Sequence, residues 1–130
     1  MGNIKKNIID KLKGCCRFPN FQNYFREIQE IGLKLREREE YINLANFGLA
    51  ISSIERITIL KMLNERDMCV CELEVLLEKS QSTISHHLRK LERANLVKSW
   101  KQGPYTYYGL KLEILKEYIN ILMQEFNISL

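Results

Sequence analysis

The segment from Ser80 to Lys101 combines small polar side chains with a concentration of positive charge. It contains five basic residues and a single acid, Glu92, so its charge equals the net +4 of the whole 130-residue chain. Small polar side chains can hydrogen-bond to base edges, and the cations that follow them can neutralise phosphates. A solvated basic helix face is the alternative. We favour binding to a nucleic acid, because the charge is confined to one short segment.

Four cysteines form two close pairs, Cys15 with Cys16 and Cys69 with Cys71. The sequence lacks a signal-peptide core and an apolar run of about 18 residues, so we expect a soluble cytoplasmic protein without membrane association, in which structural disulfides are rare. Metal binding, redox reactivity and plain burial remain as roles for the thiols. A helix that begins near Cys71 would favour its thiolate, the form that binds soft metals, and Cys69 on extended chain can reach the same ion.

The elements that position these residues are expected to be mainly helical, since only 6 Gly and 2 Pro are present. Helical spacing of apolar residues predicts a short opening helix from Ile4 to Leu12 and a longer one, capped by Asn20, through Leu35. A nearly uncharged stretch from Leu44 to Ile51 indicates buried helix. Ser52 and Glu55 form a capping-box pattern that opens the next helix. The apolar residues expected on that helix are Ile54, Ile57, Leu60 and Leu63.

The second half of the chain predicts two short helices followed by a β-hairpin. The first helix spans about Cys71 to Leu77, after an extended stretch that begins at Met68. Ser80 caps the second helix, whose apolar residues Ile84, Leu88 and Leu91 form a buried stripe. The hairpin strands are Val97 to Trp100 and Tyr105 to Tyr108. The C-terminal helix from Leu112 to Phe126 is strongly apolar and has nothing left to cover it, so we expect it to pair with its copy in a second subunit.

Two short helices with a tight break, the second capped and polar in its first turn, form the arrangement that places a helix N-terminus in the major groove. The hairpin after it can lie across the backbone or minor groove as a wing. A plain helical hairpin within a core is the alternative. The candidate DNA-binding residues are Ser80, Gln81, Ser82, Thr83, Ser85, His86, Arg89 and Arg93 in the helix, and Lys98, Lys101 and Tyr105 in the hairpin.

Residues 68–110 resemble the arsenical-resistance-repressor (ArsR) family of winged helix-turn-helix regulators, and the likeness extends over roughly residues 44–122. The motifs that carry it are CVCEL at Cys69–Leu73, SQSTISHHLRKL at Ser80–Leu91, NLV at Asn95–Val97 and the hairpin ending in Tyr107-Tyr108. The resemblance implies a dimeric, mainly α fold with a small β-hairpin. It also implies that Gln81–Arg93 is the recognition helix, that the first and last helices build the dimer, and that an effector weakens operator binding.

The two adjacent histidines receive different roles. His87 aligns with the histidine of the family, and it either contacts phosphate or packs and hydrogen-bonds locally. His86 is expected to point at DNA. Adjacent helical positions diverge by about 100°, so neither residue is interpreted as a metal ligand.

The resemblance also implies that Cys69 and Cys71 hold a soft metal or metalloid at the helix entrance. Arsenical repressors carry a third cysteine three residues later, where this chain has Glu74, a hard donor poorly matched to arsenic. Cys15 and Cys16 can compensate if they approach the first pair. The expected effectors are then arsenic(III), cadmium, lead or zinc, and no cofactor is required for folding.

The sequence predicts three regions: an N-terminal helical extension (residues 1–43), a winged helix-turn-helix domain (44–110) and a C-terminal dimerisation helix (111–130). The expected function is a homodimeric repressor that binds a double-stranded operator and leaves it when a soft metal binds. The alternatives are a thiol redox-responsive or constitutive regulator, and a winged-helix module for protein contacts. An enzyme is not expected, because there is no phosphate loop and Ser85 lacks an orienting acid beside its histidines.

Overall fold

The computed structural model describes residues 6–7 and 21–129, and the structural statements below concern these residues. The chain divides into two compact units, with the boundary between Tyr41 and Ile42. Lys6 and Asn7 have helical backbone. The rest of the predicted opening helix, the predicted cap Asn20, and Cys15 and Cys16 lie outside the described residues. No helix in the described part of the chain is long and apolar enough to cross a lipid bilayer.

Six helices and three short strands follow one another from Phe21 onward in the described chain, which confirms the mainly helical class. Their bounds are α1 (Phe21–Glu37), α2 (Glu39–Ala50), α3 (Ile54–Glu65), β1 (Met68–Cys69), α4 (Val70–Leu77), α5 (Gln81–Arg93), β2 (Val97–Gln102), β3 (Tyr105–Leu110) and α6 (Leu112–Glu125).

The small sheet has three antiparallel strands in the order β1-β3-β2. The hairpin of β2 and β3 closes through Gly103 and Pro104, and Gly103 has φ +64°, a left-handed conformation that glycine adopts without strain. The sequence predicts only the two hairpin strands. Cys69 of β1 pairs with Tyr107 of β3, and a two-residue strand has no periodicity by which sequence analysis could find its distant partner.

The core of the second unit is built around the apolar stripe of α5. Ile84 and Leu91 are fully buried and Leu88 is nearly so, as the sequence predicts. Leu73 of α4 and Ile59 of α3 are fully buried in the same cluster. Because α4 and α5 share this core, the tight break at Lys79 and Ser80 is fixed relative to both helices.

The start of α3 differs from the sequence prediction by one residue. Ser53 is the N-cap, and its hydroxyl accepts the backbone N–H of Arg56 at 3.3 Å. Ser52 is not the cap, because its hydroxyl donates to the Leu49 carbonyl at 2.7 Å. The four apolar residues expected on this helix all lie in α3, where Leu60 and Leu63 are buried and Ile54 and Ile57 are exposed. The residues of α3 that are buried are Arg56, Ile59, Leu60 and Leu63.

Helix α6 is partly covered by its own chain, which corrects the expectation that nothing is left to cover it. Tyr118 is buried, its hydroxyl donates to the Ala94 carbonyl at 2.7 Å, and its ring stacks on Phe47 at 4.6 Å. The sequence could not show this contact, because Ala94 and Phe47 are distant in the chain. The large apolar residues that α6 and the residues after it leave exposed are Leu112, Ile119, Phe126 and Ile128.

Candidate nucleic-acid interface

The first turn of α5 is organised by serine and threonine hydroxyls. The Ser80 hydroxyl accepts the backbone N–H of Thr83 at 3.4 Å, which confirms the predicted N-cap. The same oxygen lies 3.1 Å from the hydroxyl oxygens of both Ser82 and Thr83. The N-terminal end of α5 therefore presents hydroxyl groups beside backbone amides. This is also the positive end of the helix dipole, which favours a nearby anion such as phosphate.

One face of α5 is turned entirely away from the core. Ser82, His86, Arg89 and Arg93 are exposed, and their spacing of four, three and four residues puts them in one stripe. The buried stripe of the same helix lies on the opposite side. Of the other predicted contact residues in this segment, Ser80 and Gln81 are exposed, and Thr83 and Ser85 are half-buried. The helix thus offers a polar first turn and a cationic second half on one accessible surface.

The three predicted wing residues do not share one face of the hairpin. Val97 is buried, and alternation along β2 places Lys101 on the same face of the strand as Val97. Lys101 is nevertheless exposed, because it lies past the edge of the core. Lys98 lies on the other face, with its ammonium 6.0 Å from the Trp100 ring, which in turn stacks on Tyr107 at 6.2 Å. Tyr105, two residues before Tyr107, is on that second face and half-exposed. The wing therefore carries a cation on each face.

The wing is joined to the end of α5 by polar contacts. Tyr108 of β3 approaches Glu92 of α5, and burial together with this carboxylate raises the pKa of Tyr108 to about 12. Lys111, directly after β3, donates from its ammonium to the Asn95 side chain at 2.7 Å. The hairpin and the exposed face of α5 are consequently held as neighbours in one unit.

His87 makes the local hydrogen bond that the sequence left as one of two roles. Its Nδ1 lies 2.9 Å from Nη1 of Arg56. Sequence analysis missed Arg56, which is the only buried charged residue among those described. The available signal was its spacing, because Arg56 precedes Ile59, Leu60 and Leu63 by three, four and seven residues and so lies on the same face of α3.

The two described cysteines occupy the start of α4. Cys69 is its N-cap: its sulfur accepts the backbone N–H of Glu72, and the Glu72 carboxylate accepts the backbone N–H of Cys69 at 3.1 Å. Burial raises the pKa of the Cys69 thiol. Cys71, the second residue of the helix, is exposed. Within residues 6–7 and 21–129, no group of three or more Cys, His, Asp or Glu is arranged to hold a metal ion.

Residues 55–99, which include all of α3 except its first residue, α4, α5 and the start of the wing, match the family model described as bacterial regulatory protein, arsR family. A helix-turn-helix transcriptional regulator from Methanocaldococcus jannaschii is 39% identical over 85 residues, which cover 65% of this chain and 96% of that protein. The chain belongs to the arsR family. A homolog of the cadmium resistance regulatory protein CadC from Staphylococcus aureus is 32% identical, over 63% of this chain and 69% of the relative.

A solved structure is similar to this chain in sequence and fold. HlyU from Vibrio cholerae is similar with a TM-score of 0.55 and 31% identity, over 68% of this chain and 97% of that one. The arsR-family chain is accordingly a transcriptional regulator with a winged helix-turn-helix fold, as the resemblance implies, and it is not an enzyme.

Proposed function

We propose that the protein is a homodimeric repressor that inserts α5 into the major groove of its operator. The observation that carries the proposal is the division of α5 into a fully buried apolar stripe and an opposite stripe of Ser82, His86, Arg89 and Arg93. Side chains of the polar first turn can contact base edges, while the arginines bind phosphate or guanine. Lys98, Lys101 and Tyr105 of the wing then contact the DNA backbone. The cytoplasmic location stays a prediction.

The exposed apolar residues on α6 and α1 support self-association. Ile119 and Phe126 are 42% and 67% exposed, and Ile28 and Ile31 of α1 are also exposed. Exposed apolar surface of this kind is typical of a protein interface. A two-fold dimer presents two copies of α5, which suits a partly palindromic operator whose half-sites lie about one helical turn apart. We therefore assign the N-terminal extension (1–43) and residues 111–130 to the dimer interface, and residues 44–110 to DNA binding.

We propose further that a soft metal or metalloid bound by Cys69 and Cys71 releases the operator. Cys69 is both the N-cap of α4 and the last residue of strand β1, which pairs with the wing strand β3. A ligand bound at Cys69 therefore acts on both α4 and the wing. The similarity to a cadmium resistance regulator supports this class of effector. Soft ions are usually coordinated by more than two thiolates, and Cys15 and Cys16 would supply the additional ligands. Arsenic(III), cadmium, lead and zinc are the ions to test.

DNA binding is tested directly by fluorescence anisotropy with the DNA upstream of the protein's own gene and a scrambled duplex of equal length. We expect the upstream DNA to bind at least about 10³-fold more tightly than the scrambled duplex, which is the lower end of the range for specific sites. Equal affinity for both duplexes would contradict it. If neither duplex binds, the winged-helix unit serves protein contacts instead.

The effector is tested by adding each ion to the reduced protein on labelled DNA. If a metal is the inducer, we expect ultraviolet thiolate-to-metal absorption to appear together with release of the DNA. Both signals should be lost in Cys69→Ser and weakened in a variant with Cys15→Ser and Cys16→Ser. Release only after diamide oxidation would show a redox switch, and no response to either treatment would show a constitutive regulator.

A further inference from the structure

A buried arginine of α3 connects the end of α2 to the recognition helix α5. Arg56 of α3 is 4% exposed, and its guanidinium donates to the backbone carbonyls of Ala50 at 2.8 Å and Leu49 at 3.0 Å, at the end of α2. Both carbonyls are at the C-terminal end of α2, where the cation also interacts favourably with the helix dipole; the Leu49 carbonyl accepts in addition from Ser52. The remaining strong bond of Arg56 runs to His87 of α5.

That bond requires one protonation state of His87. A guanidinium can only donate and keeps its proton at any physiological pH, so Nδ1 of His87 must accept and the ring proton must be on Nε2. A doubly protonated imidazole has no acceptor and would place a second positive charge 2.9 Å from Nη1 of Arg56. The contact therefore exists only while His87 is neutral.

We infer that Arg56 is a positioning residue for DNA binding, which through neutral His87 holds α5 with its arginine stripe outward and which releases the helix when His87 is protonated. The inference rests on the proposed DNA-binding function. His87 is next to His86 in the exposed stripe and next to Leu88 in the buried stripe. A shift of the ring thus rotates or tilts the residues that face DNA.

The direction of the pH effect follows from the groups around His87. Arg56 and Glu55 face it from α3, and His86 and Lys90 lie on its own helix; burial and Arg56 lower the pKa of His87 from its ordinary 6.5. The unfolded chain then binds more protons than the folded one as the pH falls below about 6.5. The contribution of the contact is complete above this pH and is lost as the pH falls through the lower, folded-state pKa.

The test compares operator affinity between about pH 7.5 and about pH 5 for the wild type, His87→Asn and His86→Asn. Asparagine keeps an oxygen acceptor near the position of Nδ1 but does not titrate. We expect the wild type to lose about tenfold in affinity, within the range of a typical coupling between two sites, and His87→Asn to lose less than about twofold. His86→Asn should keep the acid-induced loss, since the bond to Arg56 is made by His87 and is unchanged in this variant.

An equal acid-induced loss in His87→Asn and the wild type would overturn the inference, as would a wild type that binds equally at both values of pH. A wild type that binds no DNA near pH 7.5 would instead contradict the proposed function. In that case ¹⁵N NMR of the imidazoles still tests the contact without DNA. We expect His87 to be the Nε2–H tautomer near neutral pH and to lose that signature in Arg56→Met, whereas an Nδ1–H tautomer would refute the contact itself.

Discussion

At the residue scale, Gly109 of β3 lies where no side chain fits. A Cβ atom at this position would be 2.8 Å from the Asp67 carboxylate and 3.2 Å from two atoms of the Trp100 ring. Trp100 is held by its stack on Tyr107, so the ring cannot move without opening the outer face of the wing. The absence of a side chain is therefore what lets Trp100 lie flat across the hairpin.

We predict opposite effects for alanine at two glycines. Gly109→Ala should lower the free energy of unfolding by about 1–3 kcal/mol, because the added methyl overpacks the wing. Gly48→Ala should raise it by about 0.5–1 kcal/mol, because Gly48 is inside α2 and a Cβ there meets nothing within 4 Å. Urea unfolding followed by circular dichroism measures both. Equal changes in the two variants would contradict the close approach at Gly109.

At the scale of elements, the sequence predicts α5 almost completely because its local signals agree. Ser80 is the cap, and the buried stripe of Ile84, Leu88 and Leu91 is the one that the spacing indicates. Helix α3 is predicted less well, since two serines compete for the cap and the buried face includes a charge. The burial of Arg56 depends on carbonyls at the end of α2 and on His87, and these are tertiary contacts that helical periodicity does not contain.

The competition between the two serines gives a prediction for α3. Ser53→Ala should lower the free energy of unfolding by about 1 kcal/mol, since the cap hydroxyl that accepts the Arg56 N–H is lost. Ser52→Ala should cost clearly less, because Ser52 is exposed and its hydroxyl donates to a carbonyl before the helix. Thermal or urea unfolding of the matched pair measures the difference. A larger loss in Ser52→Ala would restore Ser52 as the cap.

At the scale of the whole molecule, the exposed cationic surface that we propose to face DNA could be located from charge and capping, while its internal arrangement could not. The separation of Lys98 and Lys101 onto two faces of the wing depends on which face of β2 packs on the core. The face of α6 that packs on the core could not be predicted from the sequence either; it is the face of Tyr118, whose ring stacks on Phe47. On α6, Ile119 and the other exposed apolar residues then remain for a second subunit.

Self-association gives a prediction at this scale. Ile119→Lys should shift the protein toward monomer, because a charge then replaces exposed apolar surface on α6. Glu117→Lys places the same side chain on the opposite, exposed face of the helix and should leave the dimer intact. Sedimentation velocity at several concentrations measures the distribution. A wild type that stays monomeric throughout, or equal dissociation of both variants, would contradict a dimer built on α6.

The salt dependence of DNA binding by an Arg89 variant tests the central claim most directly. The logarithm of affinity falls against the logarithm of salt concentration with a slope of about −0.9 for each phosphate neutralised. Arg89→Ala should make this slope shallower by about 2 for a dimer, one for each copy of α5, whereas Lys116→Ala on the exposed surface of α6 should not change it. Slopes for Arg89→Ala and wild type that are equal between about 50 and 200 mM salt would contradict the insertion of α5 into DNA.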